Sequence, residues 1–317
     1  MLMTDTEGNI TTEVRDQILL MGINRPAKLN GFTPEMMRQL VDAYTELDSN
    51  PDLRVGVLFA HGPHFTAGLD LPKWANKMKA GDRGRGENKI DPTALSSRCS
   101  KPVISAVQGI TFTLGIELML AGDIVIAADD CRFSQLEPLR GIYATGGATI
   151  RFVQRGGWGN AMYHLLTSDE FDADEAYRIG LVQEIVPAGQ QLDRAIEIAE
   201  IICQGAPLAV QATKASSTLY ALEGEKACIA AMAGQQAELA STDDAAEGVA
   251  AQAAKTGAHF VRQPAAGKAS CADCVAGTYQ GAQGKTSCSD CAAGSAQLQP
   301  GQSKCTVCAA GEVQPKA

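Results

Sequence analysis

The chain has 317 residues, 45% of them apolar, with 36 acidic and 27 basic side chains and a net charge of −9. That length and apolar content suffice for one large core or two domains, and the acidic balance argues against a general nucleic-acid binder. No apolar run is long enough to span a membrane, and the polar start Met1-Leu-Met-Thr-Asp-Thr-Glu-Gly8 has no basic n-region or apolar h-region, so a cytoplasmic protein without a signal peptide is expected.

In chain order, the first strand is expected over Val14 to Ile23, ended by Asn24-Arg25-Pro26. Thr33-Pro34 opens a helix, with Thr33 as N-cap and Pro34 in the first turn. Met37, Leu40, Val41, Tyr44 and Leu47 repeat at helical spacing and mark its core face, and Asn50-Pro51 stops it. Val55 to Ala60 reads as a buried strand. It leaves through a Gly-containing turn, His61-Gly-Pro-His-Phe65-Thr-Ala67-Gly68-Leu69-Asp70, into a helix from Leu71 to Lys79. His61 and His64 are expected as solvated turn residues, and none of the four histidines stands at metal-ligand spacing. Ala80 to Asp91 is rich in glycine and charge and reads as a solvated surface loop rather than a phosphate clamp.

Pro102 to Val107 reads as a second buried strand. Gly109 to Gly115 is then a loop feeding the N-terminus of an apolar helix that holds Glu117, followed by Leu118-Met-Leu-Ala121. A strand from Ile124 to Ala127 and the segment Phe133-Ser-Gln-Leu-Glu137 come next. Glu117 and Glu137 stand twenty positions apart, each among apolar neighbours, and such a carboxylate is either paired or functional. Two strand-to-helix turns, each able to offer a backbone N–H, are the parts of an oxyanion hole. Gly141 to Thr149 is a further Gly-rich turn without the Walker spacing or its lysine. Asp172-Ala-Asp-Glu175 signals a capped short helix ending at Gly180, Val182 to Val186 a strand, and Gln190 to Phe260 an almost wholly helical part. The alternation of strands and helices argues an α/β core.

Of the ten cysteines, Cys99, Cys131, Cys203 and Cys228 are scattered and read as ordinary buried or half-buried thiols. The other six fall in a tail that repeats every 17 residues: Gly267-Lys-Ala-Ser-Cys271-Ala-Asp-Cys274, Gly284-Lys-Thr-Ser-Cys288-Ser-Asp-Cys291, Gly301-Gln-Ser-Lys-Cys305-Thr-Val-Cys308. The repeats carry almost no aliphatic core, so cross-links must hold them if they fold. Disulfides and a Cys₄ zinc site are both open, and six thiols leave a pair over after one such site. In a reducing compartment the tail is expected to be disordered.

Several pieces together resemble the crotonase (enoyl-CoA hydratase/isomerase) family from about residue 10 to Arg262. They are Asn24-Arg-Pro-Ala-Lys-Leu-Asn30, Phe65-Thr-Ala-Gly-Leu-Asp70, Leu114-Gly-Ile-Glu117 through Asp123-Ile124, Phe133-Ser-Gln-Leu-Glu137 with Gly141, Gly146-Gly-Ala-Thr149, Ala176-Tyr-Arg-Ile-Gly-Leu-Val182 and Val186-Pro187. The resemblance implies a crotonase-like α/β fold, a ββα-repeat spiral core over 10–187 with a helical C-terminal trimerisation part over 188–263. The tail, 264–317, lies beyond the family pattern and resembles the Cys-rich ephrin-receptor-like repeats. The resemblance also implies Glu117 and Glu137 as catalytic carboxylates and the N–H groups of Leu69 and Leu114 as the oxyanion hole. It implies a substrate-binding set of Ala27, Leu29, Ala67, Gly68, Leu69, Asp70, Leu71, Thr113, Leu114, Gly115, Leu136, Glu137 and Thr145. The implied reaction is hydration of a 2-enoyl-CoA thioester, with no cofactor beyond the coenzyme A of the substrate and no metal. The implied assembly is a homotrimer or dimer of trimers, with no nucleic-acid or membrane partner. Alternatives are an enoyl-CoA isomerase, an acyl-CoA hydrolase, or an interaction protein without turnover. The chain departs from the hydratase pattern at Thr113-Leu114-Gly115, where a Gly-Gly-Gly run is common, and at Thr145, where many hydratases carry glycine; Leu114 adds bulk beside the thioester site.

Overall fold

The computed structural model describes residues 7–81, 89–258 and 260, and four two-residue strands in the tail. The chain divides into two units, Met1–Val261 and Arg262–Ala317.

The first unit opens with a hairpin, β1 (Asn9–Arg15) and β2 (Ile18–Asn24), where one continuous strand was expected. Its turn is Asp16-Gln17, with Asp16 at φ +52°, and lacks the glycine by which such turns announce themselves. Helix α1 (Pro34–Ser49) begins as expected, with Thr33 accepting from the Met36 N–H, and buries Met37, Leu40, Val41, Tyr44 and Leu47. β3 (Val55–Ala60), α2 (Leu71–Lys79) and β4 (Val103–Val107) follow. The stretch from Gly109 to Gly115, expected as loop, holds a three-residue strand, β5 (Ile110–Phe112), before α3 (Leu114–Ala121). Next come β6 (Ile124–Ala128), β7 (Arg132–Ser134), α4 (Ala148–Thr167, broken at Gly157), β8 (Phe171–Asp172), α5 (Ala173–Arg178) and β9 (Glu184–Val186). Asp172 caps α5 by accepting from the Glu175 N–H, as its sequence signals. Four helices close the unit: α6 (Gln191–Cys203), α7 (Pro207–Glu223), α8 (Glu225–Ala240) and α9 (Asp243–Ala254).

The main sheet runs β1-β2-β3-β4-β6-β9, parallel except for β1. Successive side chains of a strand face opposite ways, and the core divides accordingly. Leu19, Met21, Ile23, Leu58 and Val125 pack with α1, α3 and α4 on one face; Ile18, Leu20, Val57, Ile104 and Ile126 pack with Ala195, Ile196 and Ala199 of α6 on the other. Both faces are covered, which is why these strands read as unbroken apolar runs.

A second, small sheet, β5-β7-β8, positions the chemistry. β5 runs parallel to β7 with Phe112 opposite Ser134, and the Thr113 N–H donates to the Ser134 carbonyl. β5 leads straight into α3 and Glu117, while β7 leads into Glu137. Adjacent strands thus bring together two carboxylates that lie twenty residues apart.

In the second unit, β10 (Thr278–Tyr279) pairs antiparallel with β11 (Ser289–Asp290), and β12 (Ser295–Ala296) with β13 (Thr306–Val307). Thr278 faces Asp290 and Ser295 faces Val307, the same register one 17-residue repeat later. Each C-x-x-C of these two repeats therefore brackets the return strand of a hairpin. The cysteines themselves, and with them the choice between disulfide and zinc, lie outside the described residues. Among the described residues no helix is long and apolar enough to cross a membrane.

Candidate active site

The turn after β3 is pinned onto β5: Phe65 and Thr66 N–H groups donate to Gln108 and Ile110 carbonyls, and the Phe112 N–H donates back to Thr66. His64 is part of this seam, with Nδ1 accepting from the Ile110 N–H, and His61 Nε2 hydrogen-bonds the Thr11 hydroxyl. Both rings hold backbone elements together, where solvated turn positions were expected. Further on, the Phe32 N–H and carbonyl bond to Gly68 and Asp70 on either side of Leu69, leaving the Leu69 N–H outside the ladder. Leu114 is the first residue of α3, so its N–H has no carbonyl one turn back. Among the described residues neither N–H meets an acceptor. The two turns interlock: Thr113 adopts φ +49°, Gly68 adopts φ +100°, and a Cβ on Gly68 would collide with the Thr113 hydroxyl. Gly115 is constrained less severely, since a Cβ there would come within 2.9 Å of the Thr66 methyl.

Glu117 and Glu137 are only 5% and 7% exposed. Glu117 Oε1 accepts from the Gly146 N–H at 2.5 Å and the Ala148 N–H at 3.4 Å, so the Gly-rich turn and the start of α4 hold it. A Cβ on Gly146 would run into this carboxylate. Glu137 begins the 3₁₀ turn Pro138–Arg140, its carbonyl accepting from Arg140 and Ile142 N–H groups. Burial pushes its carboxyl above the usual glutamate range, against a smaller downward pull from Arg140. With the Gln135 amide oriented to match donors with acceptors, its NH₂ donates to Glu137 Oε2 at 2.7 Å.

Both glutamates line one cavity of about 500 Å³. Of the residues expected from sequence, Leu69, Leu71, Thr113, Leu114, Glu117, Glu137 and Thr145 also line it. Ala27, Leu29, Ala67, Gly68, Asp70, Gly115 and Leu136 do not, although several buttress it. The Ala67 N–H donates to the Leu29 carbonyl, and Asp70 pairs with Arg25 at 2.8 Å. Met37, Trp74, Ile142 and Tyr143 form an apolar wall, with the Trp74 indole N–H fixed on the Phe32 carbonyl. Sequence reading did not single out Trp74, Gln135 or Gly146 for the site. The signal for Gln135 was a polar side chain inside Phe133-Ser-Gln-Leu-Glu137, and for Gly146 the Gly-rich turn itself. Among the described residues no cluster of three His, Cys, Asp or Glu could hold a metal ion. Free donors over paired buried carboxylates suit a reaction that develops negative charge on a carbonyl oxygen while a proton is moved.

Comparison with known proteins finds matches to one enzyme family over most of the chain. The sequence profile described as enoyl-CoA hydratase/isomerase matches residues 13–263, and that of the tyrosine-protein kinase ephrin type A/B receptor-like repeat matches 263–303. The chain is 36% identical over 254 residues to enoyl-CoA hydratase EchA19 of Mycobacterium tuberculosis, covering 78% of this chain and 94% of that protein. It is 34% identical over 206 residues to the peroxisomal Delta(3,5)-Delta(2,4)-dienoyl-CoA isomerase of Arabidopsis thaliana, covering 61% and 74%. Among solved structures, a probable enoyl-CoA hydratase/isomerase from Mycobacterium abscessus matches with a TM-score of 0.78 and 46% identity, over 80% of this chain and 99% of that one. An enoyl-CoA hydratase from M. tuberculosis H37Rv matches with a TM-score of 0.73 and 34% identity, again over 80% and 99%.

Proposed function

The chain belongs to the enoyl-CoA hydratase/isomerase family, and from that premise we propose that it adds water across the 2,3 double bond of a 2-enoyl-CoA thioester. The observation that carries the proposal is the pair of buried carboxylates on one cavity beside two backbone N–H groups without acceptors.

In this reading the thioester carbonyl oxygen sits between the Leu69 and Leu114 N–H groups. Those donors stabilise the enolate-like charge as it forms, and one such donor is worth about 10²–10³ in rate. Glu117, held by Gly146 and Ala148, takes a proton from a water whose oxygen bonds to Cβ. Glu137 delivers a proton to Cα, and the proton left on Glu117 returns to Glu137, so one water is consumed and both carboxyls end as they began. Its raised proton affinity supports the donor role, since an acid must keep its proton near working pH. Ala27, Leu29, Ala67 and Asp70 are assigned to the coenzyme A approach, and the apolar wall with Leu114 to the acyl chain. No metal or redox group takes part in this scheme. The protein is proposed to work as a homotrimer or dimer of trimers.

The test is the product formed from a 2-enoyl-CoA in ¹⁸O-labelled water. Hydration places label at the β-hydroxyl, and Glu117→Gln and Glu137→Gln should each lose about 10²–10⁴ in kcat with the fold intact. Since both act on one reaction, the double variant should be little worse than the weaker single one. Double-bond migration without label, sensitive to one glutamate, would establish the isomerase reading instead.

A further inference from the structure

Between the segment that carries Asn30 and Phe32 and the turn that carries Leu69 stands one buried hydroxyl, that of Thr66, on a residue with 0% exposure. Thr66 does not line the cavity. Its Oγ1 donates to the Asn30 carbonyl at 2.7 Å and accepts from the Gly68 N–H at 3.0 Å. The Gly68 carbonyl, at 3.5 Å, is a weaker second acceptor for the single hydroxyl proton.

The same backbone groups aim the Leu69 N–H. That N–H and the Gly68 carbonyl belong to one trans peptide plane and point in opposite directions. The carbonyl accepts from the Phe32 N–H at 2.8 Å, so the Leu69 N–H is turned away from the Phe32 segment. The plane keeps this direction only while Gly68 holds φ +100°, and glycine has more alternatives than any other residue. The Thr66 hydroxyl removes that freedom on the N-terminal side of Gly68, and the Phe32 N–H removes it on the C-terminal side. The bond to the Asn30 carbonyl ties the hydroxyl itself to the segment that leads to Phe32. Thr66 also reaches the other half of the site. Its N–H donates to the Ile110 carbonyl and its carbonyl accepts from the Phe112 N–H, on the strand that runs into Leu114.

We propose that Thr66 is a positioning residue, whose hydroxyl sets the direction of the Leu69 N–H relative to that of Leu114 without touching substrate. The inference rests on the assignment of both N–H groups to the oxyanion hole. Valine has the shape of threonine without the hydroxyl, so Thr66→Val takes one partner from the Gly68 N–H and one from the Asn30 carbonyl. Buried polar groups left without partners cost stability, and the glycine is the residue best able to swing toward a new one.

The test compares Thr66→Val and Thr66→Ser in the full chain. The probe is 4-dimethylaminocinnamoyl-CoA, whose chromophore absorbs at longer wavelength as its thioester carbonyl is polarised. Wild type should red-shift the bound probe. Thr66→Val should still bind it but lose most of the shift, and its kcat on a 2-enoyl-CoA should fall about 10²-fold with KM changed little. Thr66→Ser keeps the hydroxyl and should retain the shift and recover most of kcat. A role in stability alone would lower the Tm of Thr66→Val but leave the shift and kcat of the folded protein at wild-type values, and that result overturns the proposal. So does an equal loss of shift in Thr66→Ser and Thr66→Val, which would assign the effect to the methyl group. If Thr66→Val does not fold, Thr66→Cys decides: its weak S–H donor should give a smaller shift than wild type, and a full shift overturns the proposal. No red shift with wild type would overturn the oxyanion assignment itself and this inference with it.

Discussion

Glu137 and Glu117 are held by different means, and the difference sets what each substitution should do. Glu137 is buried and its proton affinity is raised, mainly by desolvation. A carboxyl whose pKa is higher folded than unfolded contributes stability at low pH and loses it as pH rises from the ordinary glutamate value through the folded one. Glu137→Gln carries no charge to desolvate. Its Tm should match wild type in acid and exceed it increasingly toward neutral pH, while turnover falls. A Tm difference that does not change with pH would show that burial is not shifting this carboxyl. Glu117 instead depends on Gly146, whose N–H it accepts and whose missing Cβ leaves room for it. Gly146→Ala should push the carboxylate aside, and a displacement of about 1 Å can cost about 10²-fold in kcat. Wild-type kcat in a folded Gly146→Ala protein would mean that Glu117 does not need this position to work.

At the scale of elements, the site rests on the start of α3, where Leu114 offers its N–H. Leu114→Gly keeps that donor and enlarges the cavity, so turnover of bulkier acyl groups should hold or rise. Leu114→Pro removes the donor and should cost about 10²–10³ in kcat beyond any loss of folded protein, which circular dichroism measures. Equal turnover by folded Leu114→Pro and Leu114→Gly would exclude Leu114 from the oxyanion hole. This element shows what sequence reveals and what it hides. Helix α1 was legible because Thr33-Pro34 starts it and five core residues repeat at helical spacing. β3 and α2 were legible to the residue, one as an apolar run and the other after a Gly-containing turn. Three-residue β5 was not, because so short a strand has no period, and its partner β7 lies twenty-two positions on. The family resemblance implied both glutamates as catalytic, but the strand pairing that unites them was not read from the sequence. The β1–β2 hairpin was hidden for another reason: a left-handed Asp16 makes the turn that glycine usually makes.

For the whole molecule, the question is what completes the C-terminal helices. α7 buries none of its 17 residues, and Tyr220, Leu222, Ile229, Met232 and Val249 stand exposed along α7 to α9. Apolar side chains spread over successive helices suit the subunit contact of the proposed trimer. Within the unit, Arg54 ties the carbonyls of Cys203 and Phe260 to the start of β3, so among the described residues the last anchor of this arm lies three residues before Gln263. A chain ending at Gln263 therefore retains every contact described for the first unit. It should keep the Tm and the oligomeric state of the full chain, measured by light scattering on a sizing column. Met232→Asp in either length should shift the assembly toward monomer while leaving the sheet intact, since α8 buries only Cys228. If the shortened chain were monomeric while Met232→Asp in the full chain assembled normally, the Cys-rich repeats and not the helical face would hold the copies together.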